Sequence, residues 1–144
     1  MFTFYWELMT PEDMLISRLQ VATVFVNEIE SALAFYREKL GFSLVADWQG
    51  DDGDRMVFLK PGDAETEIGL YAPGEGDPRI GVSTGLVFTS PDIRASVETL
   101  KRRGVTFTRD IIVHDYGEGD RPEDKGDLEA EFEDLDGNRF LLHS

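Results

Sequence analysis

The sequence predicts an α+β fold in which two tandem βαβββ modules form a curved mixed sheet around a cavity. An internal repeat is the first indication: VATVFVNEIESALAFYREKLG at 21–41 and GLVFTSPDIRASVETLKRRG at 85–104 each read as an apolar strand, a short acidic cap, an amphipathic helix and a glycine. Strand-like segments follow both copies, and the Pro- and Gly-rich stretch PGEGDPRIG lies between them. We therefore expect one domain with an N-terminal extension, a first module, a linker and a second module, at 1–14, 15–72, 73–81 and 82–144.

The first module is read from the periodicity of its apolar residues. Residues 19–26 alternate as a strand, and Asn27 or Glu28 is the candidate N-cap of the helix that follows. That helix ends at Gly41 and has one apolar face, formed by Ile29, Leu33, Tyr36 and Leu40. Three further strands are expected at 42–48, 56–60 and 65–72, with turns at 50–54 and 61–63.

The second module repeats this pattern with one long insertion. Its helix ends at Gly104 and has an apolar face formed by Ile93, Val97 and Leu100. Strands are expected at 105–113, 127–133 and 139–143, the last two joined by a turn at Asp136-Gly137-Asn138. The segment 114–126, between the first two of these strands, is an acidic loop, and loops of this length are usually functional or mobile.

The composition excludes several classes of function. The formal net charge of −15 is unsuited to nucleic-acid binding, which needs Lys and Arg at the phosphates. No apolar run is long enough to span a membrane, and the absence of cysteine excludes disulfides and thiolate metal sites. We expect a cytoplasmic protein, since residues 1–14 also lack the basic start of a secretory signal. This extension is either an upstream segment or an arm that packs against the domain.

Acidic residues are concentrated in the second module. Twelve of them fall between Asp110 and Asp136, where only Arg121 and Lys125 carry positive charge. One interpretation is a solvated loop and surface. The other is an acidic rim that attracts a cationic ligand, because such a field repels anions and concentrates cations.

Three segments carry a resemblance to a known family: VFVNEIESALAFYREKLGF at 24–42, TGLVFTSPDIRASVETLKRRGV at 84–105 and FEDLDGNRFLL at 132–142. On these motifs the chain resembles the vicinal oxygen chelate superfamily, which includes glyoxalase I, extradiol dioxygenases and bleomycin resistance proteins. The resemblance implies two βαβββ modules around a cavity and, commonly, a homodimer that covers an exposed sheet edge. It leaves the reaction open, because this superfamily hosts many chemistries on one scaffold.

The resemblance also implies where a metal would be bound. Metal-using members are similar at four ligand positions, a His that opens each module and a Glu on the last strand of each. In this chain those positions fall at Val21, Gly69, Gly85 and Leu141, and none of these side chains ligates a metal. The remaining ligands, Glu67, His114 and His143, would make a poor displaced site. We therefore expect no bound metal and no cofactor.

The alternation of the strands predicts which side chains face the cavity. The predicted ligand-binding residues are Thr23, Phe25, Trp48, Glu67, Tyr71, Thr89, Tyr116, Arg139 and His143. A largely apolar and aromatic lining with a few polar groups is typical of a small-molecule site. Alternatively, Phe25 and Tyr71 fill the cavity themselves, and Glu67 and Arg139 form a structural ion pair across it.

Two further features of the cavity bear on chemistry. Gly69 and Gly85 either leave room for a ligand or allow close backbone packing. Glu67 and His143 are the candidate catalytic residues, because carboxylate and imidazole are the common proton-transfer groups of metal-free catalysis.

Three functions remain open from the sequence. The first is a metal-free protein that sequesters a cationic or aromatic small molecule, similar to the bleomycin resistance branch. The second is an enzyme, a lyase, isomerase or dioxygenase like other members of the superfamily. The third is an interaction module that uses residues 1–13 or the acidic loop to bind a partner. We favour the first, with a small-molecule ligand and a second copy of the chain as the expected partners.

Overall fold

A computed structural model describes residues 10–115 and 125–144. The first module contains β1 (Val21–Phe25), α1 (Ile29–Ala34) with a π-helical turn (Phe35–Lys39), β2 (Ser43–Gln49), β3 (Arg55–Lys60) and β4 (Glu67–Tyr71). The second contains β5 (Ser83–Thr89), α2 (Ile93–Arg102), β6 (Thr106–Asp115), β7 (Lys125–Glu133) and β8 (Arg139–His143). The predicted fold class, α+β with two tandem βαβββ modules, is confirmed.

Each module forms its own four-stranded mixed sheet, so the fold has two sheets and not one continuous sheet. The strand orders are β1-β4-β3-β2 and β5-β8-β7-β6. In both sheets the first strand runs parallel to the last, and the remaining neighbours are antiparallel. The strands β1 and β2 are therefore the edges of the first sheet, and β5 and β6 are the edges of the second.

The helices lie beside these sheets and are short. The α1 segment has 6 residues before its π-helical turn, and α2 has 10. No helix in the described part of the chain is long and apolar enough to cross a membrane.

One hydrophobic core is shared by the two modules. Val24 of β1 is buried in it while the adjacent Thr23 is exposed, as a strand with one buried face requires. On β5, Phe88 packs against the same core and the adjacent Val87 is 54% exposed. The ring of Phe42 meets that of Phe88 edge-on, with centroids 5.5 Å apart. The core therefore lies on the side of each sheet that carries the helices, and the opposite faces remain open.

The start of α1 distinguishes the two candidate N-caps. Glu28 occupies the N-cap position, but among the described residues its side chain accepts no capping hydrogen bond. The side chain of Asn27 bonds elsewhere, since its Nδ2 donates to Oδ1 of Asp136 at 2.8 Å. By contrast, the carboxylate of Asp92 does cap α2 by accepting the N–H of Ala95 at 3.1 Å. Of the two candidate caps, Glu28 therefore holds the N-cap position without a capping bond, and Asn27 takes part in a contact between the modules.

The end of α1 also differs from the regular helix predicted up to Gly41. The N–H of Leu40 donates to the carbonyl of Phe35, five residues earlier, at 3.2 Å, which makes this turn π-helical. Tyr36, inside the turn, is fully buried. Gly41 then adopts φ of 77°, the left-handed conformation expected of a glycine that ends a helix.

A buried hydrogen-bond network at Asp134 connects the modules. The hydroxyl of Tyr36 donates to Oδ2 of Asp134 at 2.6 Å, and Nδ2 of Asn138 donates to the same oxygen at 3.0 Å. The Asn138 side chain also donates to the carbonyl of Phe25 at 2.8 Å and accepts the N–H of Gly81 at 2.8 Å. Burial raises the pKa of the Asp134 carboxyl, and these donors oppose the rise by stabilising its charge.

Tyr36→Phe removes one donor from this buried carboxylate and leaves the ring in place. We expect the free energy of unfolding, measured by urea denaturation, to fall by about 1–3 kcal/mol. Tyr71→Phe is the matched control, because its hydroxyl donates to Asp54 at 3.4 Å in an exposed position. The control is expected to change stability by less than about 0.5 kcal/mol. Equal losses in the two variants would show that the buried bond to Asp134 stabilises the protein no more than an exposed hydrogen bond does.

Candidate functional site

The open face of the first sheet holds five of the predicted site residues. Thr23 and Phe25 lie on β1, and Phe25 is directly opposite Tyr71 of β4. Glu67 begins β4, where it pairs with Val21. Trp48 lies on the edge strand β2 and is 56% exposed. The structure thus brings Phe25 and Tyr71 together and places Trp48 at the far edge of the same sheet.

The Phe25 and Tyr71 rings form an edge-to-face pair that is covered by a linker residue. Their centroids are 6.3 Å apart with an interplanar angle of 85°. The guanidinium carbon of Arg79 lies 4.2 Å from the centroid of Phe25, within cation–π range. Asp77 holds this guanidinium with two hydrogen bonds of 2.9 Å, and the bonds lower the pKa of the Asp77 carboxyl to about 2.

A small pocket adjoins this aromatic pair at the point where the first sheet meets the second. Its volume is about 340 Å³, and its lining includes Thr23, Phe25, Arg79, Ser83 and Thr84. The alternative in which Phe25 and Tyr71 alone fill the space is therefore incomplete, because the linker contributes Arg79 as well.

The open face of the second sheet carries three more of the predicted residues, Thr89, Arg139 and His143. Thr89 of β5 is directly opposite His143 of β8. Arg139, at the start of β8, pairs with Glu133 of β7. The described residues show no ion pair between Arg139 and Glu67, so the predicted pairing across the cavity was wrong. Because Arg139 and Glu67 belong to separate sheets, the alternation within each strand did not determine the distance between them.

A row of charged side chains crosses this second face. Nη2 of Arg109 donates to Oε1 of Glu129 at 2.5 Å, and Nε2 of His114 lies 3.4 Å from the other oxygen of the same carboxylate. The hydrogen bond from Arg109, and secondarily that from His114, lowers the pKa of Glu129. Beside them, Nε2 of His143 lies 3.9 Å from Oδ2 of Asp127. His143 is therefore paired with a carboxylate and is not a frayed terminal residue.

Two of the positions where the resemblance implies metal ligands are glycines, Gly69 and Gly85. A Cβ on Gly69 would lie 2.7 Å from Cε of Met56 and 3.0 Å from Cγ1 of Val21, so side chains of neighbouring strands fill this position. A Cβ on Gly85 would meet nothing within 4 Å, but the residue has φ of 73° at a register shift in β5. Of the two sequence-based alternatives, open space describes Gly85, whereas Gly69 meets side chains of its own sheet and shows neither open space nor close backbone packing. In the described ranges, no group of three or more His, Asp or Glu side chains is placed to hold a metal ion.

Two larger cavities lie at the junction of the modules. Their volumes are about 400 and 560 Å³, and both are lined by Phe88, Pro61 and Thr89. Thr89 is the one predicted site residue that lines them.

Sequence reasoning missed several residues of these faces. Asp127 and Glu129 are two residues apart on β7, so the alternation of the strand could have predicted that they share a face with His143. Asp77 and Arg79 had no such signal, because they lie in an irregular linker whose path depends on the tertiary structure. Tyr116, a predicted ligand-binding residue, lies outside the described residues.

Gly85→Ala tests whether the positive φ at residue 85 requires a glycine. The added methyl group has free space, so any loss of stability reports the left-handed backbone alone, and we expect about 1–2 kcal/mol by urea denaturation. Gly85→Asn should lose less, because Asn tolerates this conformation better than Ala. No loss in Gly85→Ala would mean that the register shift in β5 relaxes freely.

Comparisons with known proteins agree with this geometry. The family model described as Glyoxalase/Bleomycin resistance protein/Dioxygenase superfamily matches residues 18–142. An uncharacterized protein of Bacillus subtilis, YetH, is 27% identical over 128 residues, which cover 89% of this chain and 98% of the relative.

Solved structures give the same result. A superfamily member from Sphaerobacter thermophilus has 34% identity and a TM-score of 0.75, with 90% of this chain and 98% of that chain covered. TnmS3, an antibiotic-binding protein from a Streptomyces species, has 32% identity and a TM-score of 0.68, with 90% and 96% covered. With the family model matched along most of its length, this chain belongs to the glyoxalase/bleomycin resistance protein/dioxygenase superfamily.

Proposed function

We propose that this protein binds and sequesters a cationic or aromatic small molecule and does so without the divalent metal used by many of its relatives. The observation that carries the proposal is the chemistry of the ligand positions. By the family resemblance, Val21, Gly69, Gly85 and Leu141 fall at the positions where metal-using relatives have His and Glu, and the first face presents aromatic side chains. An aromatic face, with no group of three metal ligands among the described residues, is suited to binding an organic molecule.

The structural relatives support a binding function. TnmS3 is described as an antibiotic-binding protein and shares 32% of its aligned residues with this chain. Its likeness favours an organic ligand of comparable type for this protein, held on the open sheet faces by stacking and apolar contact.

The charge of the chain favours a cation among such ligands. At a net charge of −15, the potential around the protein attracts cations and repels anions. The described faces add local carboxylates, with Asp77 near Phe25 and Asp127 near His143. We place the protein in the cytoplasm as part of the same proposal.

We also propose that the protein works as a homodimer. Each sheet ends in an edge strand that exposes apolar side chains: Leu44, Val45 and Trp48 on β2, and Ile112 and Val113 on β6. Exposed apolar edge strands favour association. A second copy would cover them and enclose the open faces around a ligand.

One alternative rests on the pairing of His143 with Asp127. Nε2 of His143 lies 3.9 Å from Oδ2 of Asp127, and imidazole is a common proton-transfer group of enzymes. In this reading the protein is a metal-independent lyase or isomerase with His143 as the base. The two functions differ in outcome, since sequestration returns the ligand unchanged and an enzyme converts it.

Trp48→Ala tests the binding proposal. With metal-free bleomycin as the probe in isothermal titration calorimetry, we expect the wild type to bind and the variant to bind about tenfold more weakly, because a stacked aromatic surface is lost. Leu135→Ala is the matched control, since Leu135 is equally exposed at 58% but lies in the turn between β7 and β8. Mass spectrometry of the recovered probe should show it unchanged. An absence of heat with the wild type would contradict binding of this ligand type.

Val113→Asp tests the dimer. We expect the wild type to elute as a dimer in size-exclusion chromatography with light scattering, and the variant as a monomer, because a charge is placed on the apolar edge of β6. Leu135→Asp adds the same charge at similar exposure outside the edge strands and should remain dimeric. A monomeric wild type would refute the proposal.

A further inference from the structure

The open face of the first sheet already binds a cation that belongs to the chain itself. The guanidinium of Arg79 lies over the Phe25 ring at 4.2 Å, and its Nε and Nη2 each donate to an oxygen of Asp77 at 2.9 Å. Tyr71 meets Phe25 edge-on and stands next to Asp54, to which its hydroxyl donates at 3.4 Å. A planar cation is therefore held between an aromatic ring and a bidentate carboxylate.

We propose that Phe25, Tyr71 and Asp77 form a subsite for a planar organic cation, a guanidinium or amidinium group of the ligand, and that Arg79 occupies it until the ligand displaces it. The inference rests on the proposed function, because it names the charged group of the ligand that the protein sequesters. It goes further in making Arg79 the residue that determines specificity for that group.

The subsite has the chemistry that such a cation requires. The face of an aromatic ring attracts a cation through its quadrupole, and the two oxygens of a carboxylate match the paired N–H groups of a guanidinium or amidinium. The Asp77 carboxyl is ionised in the neutral range with or without the Arg79 side chain, because the ordinary pKa of an aspartate already lies well below 7. The neighbouring pocket of about 340 Å³, lined by Thr23, Ser83 and Thr84, provides space for the rest of a ring-sized ligand.

Arg79 is held weakly enough to be displaced. Its side chain is 55% exposed, and its hydrogen bonds among the described residues go to Asp77, two positions away in the same linker. Exposed ion pairs of this kind contribute little stability because water screens them. Outside the linker, Arg79 lies over the Phe25 ring and interacts electrostatically with Tyr71.

Removing the Arg79 side chain leaves the rest of the subsite in place. The backbone N–H of Arg79 donates to Oδ1 of Asp77 at 2.9 Å, and the N–H of Ile80 donates to the Asp77 carbonyl at 3.1 Å. Both bonds are donated by backbone N–H groups of the linker turn, one to the Asp77 carboxylate and one to the Asp77 carbonyl, so both survive truncation of the Arg79 side chain. Arg79→Ala therefore empties the subsite without removing Asp77 from it.

The test uses two probes of the same shape, the cation benzamidine and the neutral benzamide, titrated by calorimetry into the full chain. Arg79→Ala should bind benzamidine about five- to tenfold more tightly than the wild type, with benzamide affinity unchanged, since only the cation competes with Arg79. Phe25→Leu in the Arg79→Ala background should abolish that gain. Arg102→Ala is the charge-matched control, because Arg102 is exposed on α2 and bonds Glu98 and Thr99, and it should leave both affinities unchanged.

A second measurement reports the displacement directly. In the wild type, the side-chain N–H resonance of Arg79 should shift on addition of benzamidine as the guanidinium leaves the ring current of Phe25, and benzamide should leave it in place.

Two results would overturn the inference. If aromatic ligands bind the wild type but Arg79→Ala does not change the preference for benzamidine over benzamide, the cation subsite is refuted and the binding function stands. If neither probe binds either variant and bleomycin also fails to bind, both the subsite and the proposed function are refuted.

Discussion

The arrangement of the two modules depends on one buried carboxylate, that of Asp134. Its two oxygens accept hydrogen bonds from the Tyr36 hydroxyl, the Asn138 side chain and the backbone N–H groups of Asp136 and Asn138. Burial alone would make its charge costly, and these donors are what allow it to stay in the interior. Tyr36 comes from the first module and Asp134 from the second, so the carboxylate is fully satisfied only when the modules are docked in this orientation. A buried polar network of this kind specifies one arrangement, because any other leaves a charged group without partners.

This docking determines what the molecule can offer to a ligand. The shared core uses the helix-bearing sides of both sheets, so the opposite faces stay open in a single chain. Those faces carry two different chemistries. The first presents the rings of Phe25 and Tyr71 with a cation from the linker above them, and the second presents a row of charged side chains around Glu129 and His143. The proposed ligand, with an aromatic and a charged part, suits such a pair of surfaces.

The sequence predicted the fold and the direction of the strand side chains well, because both follow from local periodicity. Val24 is buried and Thr23 exposed as the alternation required, and the glycines at the helix ends adopt the expected left-handed conformation. Asn27, one of the two candidate caps of α1, does not cap the helix because its side chain bonds Asp136, a residue 109 positions away. The contact between Arg79 and the Phe25 ring was not predicted either, because nothing local in a Pro- and Gly-rich linker indicates which ring an arginine will cover. Errors and omissions thus fall where long-range contacts compete with local preferences.

The sequence by itself determined that both copies of the repeat keep their strands and helices, and which residue types stand at the positions where the resemblance implies metal ligands. Only the tertiary structure decided what occupies those positions. Gly69 is closed by Met56 and Val21 from adjacent strands, whereas Gly85 is open but constrained by its backbone. The same is true of the Arg79 contact with Phe25, because the path of the linker is set by the hydrogen bonds of Asn138 to Gly81 and Phe25. Local periodicity assigns each side chain to a face, but the distance between faces depends on how the modules pack.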